Sequence, residues 1–315
     1  MPKIVEPAEV EPVVAGLLGA IDVDGGPTDE QLAVLGAVTA HLWERPDLDL
    51  ARIAPFDAAT TASALRRDPT RRRFCEMLVT LEMCRHPQSA AQVAAVETWS
   101  DALGVGGPHL AVMRTAVDEG AVRATEDFDR FYARDLEQLS EPALRDRYLR
   151  LDTPDPALAQ RLQALHDLPP DTLGYAYIEF YRRNDITVPG ADTHTPAHYV
   201  SHDMNHVIAD YEPTGPGEIA LGAFTLAMND NDANWLQFVL NLVIHEAGIL
   251  RHGAIAPKDQ TLTRPGATEL VGEAFARGAG CSGDFSQADH LAMADWTLEA
   301  VRAHYDVAPR TVPMV

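Results

Sequence analysis

Positive charge is scarce in this chain. Lysine occurs only at Lys3 and Lys258, and 25 Lys and Arg against 47 Asp and Glu leave a formal net charge of −22 over 315 residues. Phosphate recognition needs clustered cations, so binding of nucleic acid or an anionic membrane by the general surface is disfavoured. Cysteine is sparse too. Cys75, Cys84 and Cys281 form no C-x-x-C pair, which argues against a disulfide framework or a zinc knuckle and fits a reducing compartment. No apolar run reaches the length of a membrane span. The most apolar stretch, Trp235 to Leu250, is broken by Asn241, His245 and Glu246 and reads as a buried helix. The apolar patch Val13 to Ile21 follows Glu6, Glu9 and Glu11, where a secretory signal would carry positive charge. The expectation is a soluble, cytoplasmic protein, with peripheral contact to a membrane left open. Alternating β patterns of useful length and internal repeats are also missing, which leaves an all-α protein.

Against this background one pattern stands out. His202, Asp203 and His206 form H-D-x-x-H, and eleven residues later comes Glu218. On a helix His202 and His206 lie one turn apart on one face, and Asp203 sits about 60° from His206, near enough to ligate or to orient a ring. Thr195 and Pro196 read as an N-cap and first helical residue that start this helix just before His198. Asp210, Pro213, Gly215, Pro216 and Gly217 break it, and Ile219, Ala220, Leu221, Ala223 and Phe224 resume a helical period. Glu218 therefore opens a second helix that can fold back as a hairpin toward the histidine face. Two imidazoles and up to two carboxylates suit Zn²⁺ first, and also Fe²⁺ or Mn²⁺. With no Cys nearby, a closed structural zinc site is disfavoured and an open coordination position is expected. The plainer alternative is a polar helix face with Glu218 favouring a helix N-terminus through the macrodipole.

The segment Leu168 to Phe224 resembles the coenzyme Q (ubiquinone) biosynthesis protein 4 family, whose signature is the same H-D-x-x-H, eleven residues, E. The flanking "LPPDTLGYAYIEFYRRNDI" is similar to the family's leader, and "GEIALGAF" to the helix opened by its final Glu. "GEAFARGAGCSGDF" through "TLEAVRAHYDV" is similar to its C-terminal pattern. The resemblance covers roughly the second half of the chain. It implies a mostly helical protein with a divalent metal, usually described as zinc, beside an apolar cavity for a prenylated quinone precursor. It also implies oxidative decarboxylation of an aromatic ring, or a part in organising a biosynthetic complex. The family commonly has an Arg-Glu pair just before the motif. Here Val200 and Ser201 stand in those places, which points to a different ring substrate.

The first half reads as a separate helical module. Thr28 with Gln31 and Ser89 with Gln92 are capping boxes, and Asp68 before Pro69 marks a further helix start. Phe74, Met77, Leu78, Leu81 and Cys84 form a core stripe that ends before Pro87, while Glu76, Glu82 and His86 read as surface residues at helical spacing. Leu103 followed by Gly104 looks like a helix end. Pro108 to about Gln138 supplies one or two more helices with a break near Gly120. Met77 to Val105 resembles helical modules of the tellurite-resistance TerB-like family. "LDTPDP", from Leu151 to Pro156, is the candidate linker. The expected organisation is thus a tail over residues 1–26, an accessory or dimerisation domain over 27–150, and a metal-binding helical bundle over 151–315.

Further candidates surround the motif. Tyr175, Tyr181, His198 and His245 are the candidate pocket residues, and Tyr177 lies on the same leader helix. His245-Glu246 is not followed by the second His of a zinc protease, because the next is His252. The functional expectation is a metal-dependent enzyme of decarboxylase or lyase type acting on a small aromatic or quinone-like molecule, prenylated or not. The alternative is a non-catalytic, metal-stabilised isoprenoid-binding scaffold, as a homodimer or in a biosynthetic complex. A third reading, an HD-type metal phosphohydrolase, would recruit His166 and Asp284 or Asp289.

Overall fold

The computed structural model describes residues 4–87, 89–105, 141–144, 153–193, 195, 197–249 and 258–315. The expected helices between Pro108 and Gln138, the break near Gly120 and the start of the expected linker lie outside the described residues. Among the described residues the protein is all-helical, with isolated bridges Thr172 to Thr297 and Ala247 to Asp259 and no strand. No helix among them is long and apolar enough to cross a membrane.

The first half contributes α1 (Val10–Ile21), α2 (Asp29–Ala37, continued by a π turn at Val38–Leu42), α3 (Ala58–Ala64), α4 (Asp68–Met83) and α5 (Ala90–Leu103). The stretch expected as a tail thus contains α1, whose Val10, Val13, Val14, Leu17 and Ile21 are buried. The Thr28 box forms in both directions: the Gln31 amide donates to Thr28 Oγ1 at 3.3 Å, and the Thr28 amide donates to Gln31 Oε1 at 3.0 Å. Ser89 caps α5, but the Gln92 side chain is used elsewhere, donating to the Ala20 carbonyl and accepting from Gln31. α4 opens at Asp68 with proline in its first turn, and Gly104 ends α5 in the left-handed region at φ 65°.

The core stripe of α4 is fully buried, as its spacing predicts. Glu76 and Glu82, expected at the surface, are instead 3% and 5% exposed. α4 packs against α1, α2 and α5 and also against α10 (Asp232–His245), so it has little outward face to offer them. His86, beyond the end of α4, lies 3.0 Å from the buried Glu246 carboxylate.

The second half supplies α6 (Pro156–Gln163), α7 (Leu173–Arg183), α8 (Tyr199–Ala209), α9 (Gly215–Met228), α10, α11 (Ala267–Ala279) and α12 (Leu298–His304). α9 is the central element, and it is buried on every side from Gly215 to Leu226, as a helix apolar all round must be. α8, α10 and α11 pack on it. A Cβ at Gly278 would collide with the Phe224 carbonyl, so the glycine is what lets α11 approach α9 so closely. Phe224 meets Phe285 at 5.7 Å and Phe238 meets Phe275 at 5.5 Å, and each such buried ring stabilises the fold by about 1.5–3 kcal/mol.

The two halves share one contiguous apolar core. α2 and its π turn lie against α11, and α4 lies against α10. The division of the chain at residue 150 is accordingly a proposal about folding units, and expressing residues 151–315 alone tests it.

Candidate metal centre

α8 carries His202, Asp203 and His206, and its C-terminal turn is held firmly. Arg302 donates to the carbonyls of Val207 and Ile208, both at 2.9 Å, and Arg277 donates to that of Ala209 at 2.8 Å. Cations at this end also complement the helix dipole. Asp210 then turns the chain in the left-handed region at φ 65°. Glu212 is gripped by Arg183 at the end of α7 and by Asn184 just beyond it, each at 2.8 Å. Thr214 caps α9 by accepting the Gly217 amide at 3.3 Å. Glu218, in the first turn of α9, is thereby brought to the histidine face, as the hairpin reading requires.

α8 begins at Tyr199, later than Thr195-Pro196 predicts. The Thr195 amide donates to Asp192 Oδ1 at 3.1 Å, and its carbonyl accepts the Gly190 amide at 3.3 Å, which keeps it in the preceding loop.

His202, Asp203 and His206 form a group that could hold a metal ion. His206 Nδ1 lies 3.0 Å from the Tyr211 carbonyl, to which only an N–H can bond. His202 Nδ1 lies 2.9 Å from Asp203 Oδ1, a carboxylate that likewise takes a proton donor. With Nδ1–H so committed, either ring when neutral presents a lone pair at Nε2. Both face the same oxygen: Glu218 Oε2 is 3.2 Å from His206 Nε2 and 3.5 Å from His202 Nε2. Lone pairs opposed in this way need a proton or a cation between them. Ligand atoms about 2.0–2.1 Å from a tetrahedral zinc stand about 3.3 Å apart, which is the spacing here.

Three of the four donors are buried, and the His202 side chain is 18% exposed. His206 is inaccessible, and Asp203 and Glu218 are nearly so. Among the described residues no Lys or Arg pairs with either carboxylate. Burial by itself would raise Glu218, but the adjacent His206 and His202 outweigh it and hold the carboxyl down at about 2. Burial opposes charge on His202, yet its bond to Asp203 and the field of Glu218 raise it. These shifts describe a centre that favours positive charge, and the donor set of two imidazoles and carboxylates fits a divalent cation.

Around these residues lies a shell of hydrogen bonds of the kind that orients metal ligands. The Tyr181 hydroxyl donates to Asp203 Oδ2 in a short bond and receives the Tyr177 hydroxyl at 3.4 Å. Phe180 stacks on the His206 ring with centroids 5.6 Å apart. Asn241 of α10 donates to the Glu218 carbonyl at 2.7 Å. His245, one turn further along α10, interacts electrostatically with Glu218, His202 and His206, and burial lowers its pKa. Its Nδ1 is buried without a hydrogen-bond partner among the described residues, a situation that costs about 1–3 kcal/mol.

The other candidates have neighbours of their own. Tyr175 stacks on His166 at 4.3 Å, and that histidine bonds Glu179 at 2.6 Å. His198, at the N-terminus of α8, stacks on Tyr199 at 4.6 Å. Asp284 binds Asn229 and Ser286, and Asp289 accepts the Ala292 amide. His166, Asp284 and Asp289 thus do not join the motif, and the ligand set of an HD-type phosphohydrolase is not assembled among the described residues. A buried chain that the sequence did not reveal supports α8 from behind: His290 Nε2 lies 2.8 Å from Asn205 Oδ1, and its Nδ1 lies 3.2 Å from Glu141. No local pattern signals it, because the partners are 85 and 149 positions apart.

No family model matches the chain, and no curated protein matches it. Among solved structures, it is similar to a crystal structure from Nostoc punctiforme of a protein named for ubiquinone biosynthesis. The identity is 18% and the TM-score 0.38, over 64% of this chain and 97% of that one. A similarity of this depth carries no argument about function.

Proposed function

We propose that the protein is a metal-dependent enzyme that removes the carboxylate from a quinone-like aromatic acid. The observation that carries the reading is the pair of Nε2 atoms turned onto one Glu218 oxygen, in a largely buried centre where, among the described residues, no Lys or Arg compensates the carboxylates. His202, His206 and Glu218 would hold the cation, with Asp203 either ligating or orienting. Zn²⁺ is the first choice and Fe²⁺ or Mn²⁺ the next. A bound divalent cation supplies Lewis-acid stabilisation of negative charge on substrate oxygens.

The protein's own groups prepare the rest. The Tyr211 carbonyl fixes the tautomer of His206, and Asp203, anchored by Tyr181, fixes that of His202. Phe180 shields the His206 ring, and the low polarity around it strengthens each remaining electrostatic contact. In the reaction the bond between ring and carboxyl carbon breaks, its electron pair stays on the ring, and a proton replaces the departing carbon dioxide. The substrate class rests on the resemblance of Leu168 to Phe224 to the coenzyme Q biosynthesis protein 4 family.

Elemental analysis of the purified protein, paired with release of labelled carbon dioxide from a carboxylated phenol, tests the proposal. His202→Ala and His206→Ala should each lower metal content and turnover together, by more than the roughly 100-fold upper range for losing an orienting partner. Unchanged metal content in both variants would refute it. A metal-loaded protein with a copurifying isoprenoid and no turnover would favour the scaffold instead.

A further inference from the structure

α10 turns two polar side chains toward the helix that carries Glu218. Asn241 is engaged there by donating to the Glu218 carbonyl. His245 lies four residues on, hence one turn along the same face. Its Cβ stands where a side chain at Gly215 would touch it, against the first turn of α9. The backbone is fixed as well: the Thr261 hydroxyl donates to the His245 carbonyl in a short bond, and the next residue, Glu246, is clamped by His86 and the Leu262 amide. The imidazole is 3% exposed, and its Nδ1 has no hydrogen-bond partner among the described residues. A packing role alone would be met by leucine, whereas a buried, oriented and unpaired ring nitrogen calls for a polar guest.

We infer that His245 is a substrate-holding residue of the metal centre, whose imidazole bonds an oxygen of a carboxylate-bearing aromatic guest seated beside His202, His206 and Glu218. This rests on the reading of the centre as a metal site and adds the residue that recognises the guest. Asn241 and His245 then divide the work of α10. The first secures the backbone at Glu218, and the second faces the ligand.

The test uses the full chain loaded with Co²⁺ and titrated with benzoate, following the visible spectrum of the metal. His245→Ala should bind one equivalent of Co²⁺ as the unaltered protein does, and bind benzoate about tenfold or more weakly, as expected for losing one hydrogen bond to a charged group. His245→Asn, whose amide can stand where Nδ1 stands, should recover most of the affinity, while His245→Leu should not. Should the Ala variant fail to fold, the Asn and Leu pair makes the same comparison. Benzoate affinity unchanged in His245→Ala and His245→Leu overturns the inference while the metal reading stands. So does loss of Co²⁺ from them, or a Co²⁺-loaded protein that does not take benzoate. If the unaltered chain binds no Co²⁺, the metal reading itself fails and the inference falls with it.

Discussion

Two clusters of ionisable groups, each built around buried members, lie near opposite ends of α10, and they balance charge by different means. Near its N-terminus, the wholly buried Arg73 stands 2.8 Å from Asp230 and 3.2 Å from Glu76, and Arg72 stands 2.8 Å from Asp232. Carboxylates there meet guanidinium groups supplied by α4. Near the C-terminus, Asp203 and Glu218 meet imidazoles and, among the described residues, no Lys or Arg. The first cluster is closed, because the chain brings its own cations. The second has the donors and lacks the permanent charge, which is the condition under which a protein recruits an ion from solution. Burial of acids is therefore a poor guide to a site by itself, and what tells the two apart is the identity of the positive partner.

The sharpest way to break this comparison is to remove the internal cation. Arg73→Leu leaves the buried Glu76 and the partly exposed Asp230 beside a single half-exposed Arg72, and losing one partner of a buried pair costs about 3–5 kcal/mol. Urea unfolding should show that loss as a lower midpoint, and Mg²⁺ or Zn²⁺ should not restore it. Recovery with a divalent cation would make the two clusters equivalent and erase the distinction.

A second effect is slightly smaller and depends on pH. Burial pushes the Glu76 carboxyl up from 4.5 to about 7, against the pull of Arg73 and Arg72. A carboxyl raised on folding binds its proton more tightly in the native chain. Its stabilising contribution is complete below about 4.5 and is lost as pH rises through about 7, a span worth about 3 kcal/mol. Glu76→Gln should remove that part of the pH dependence, so that variant and parent diverge between pH 4.5 and 8 in denaturant titrations. Parallel curves would show that Glu76 is already ionised at the lower pH.

How much of this was legible follows from sequence distance. The cluster that could hold a metal was legible because its members lie within seventeen positions and one helical period aligns His202, Asp203 and His206. The Thr28 box was legible for the same reason. Glu76 was misread as a surface residue because α10, which packs on α4, comes some 150 positions later in the chain, although its partners Arg72 and Arg73 are local. Gln92 formed half of its expected box because its amide has a tertiary partner in the Ala20 carbonyl. The start of α8 was misplaced because the Thr195 carbonyl, which would accept the first bond of a helix capped there, takes the Gly190 amide instead. Helical period and caps are local, whereas the pairing of buried charge is decided by which helices meet.

Within the metal centre, Asp203 sharpens the comparison further. Its Oδ1 takes the His202 Nδ1–H and its Oδ2 takes the Tyr181 hydroxyl, the bonds that an orienting partner of His202 would make. Asp203→Asn should then weaken Zn²⁺ binding by roughly 10–100-fold in a chelator competition, the usual consequence of losing such a partner. A loss beyond about 1,000-fold would place Asp203 among the direct ligands.

The smallest effect concerns two caps of the same chemistry in the two halves. Thr28 starts α2, remote from the metal group, and Thr214 starts α9, whose first turn carries Glu218. Either residue changed to Ala should cost about 1 kcal/mol of stability. Only Thr214→Ala should also weaken Zn²⁺ binding, and by less than tenfold on the scale of a lost cap. The limit is small because α9 has a second restraint: a Cβ at Gly217 would collide with the Glu212 carbonyl, so the turn is already packed against the strap that Arg183 and Asn184 hold. If both variants lose stability equally and neither changes Zn²⁺ affinity, the position of Glu218 is set by packing around α9 and owes nothing to its cap.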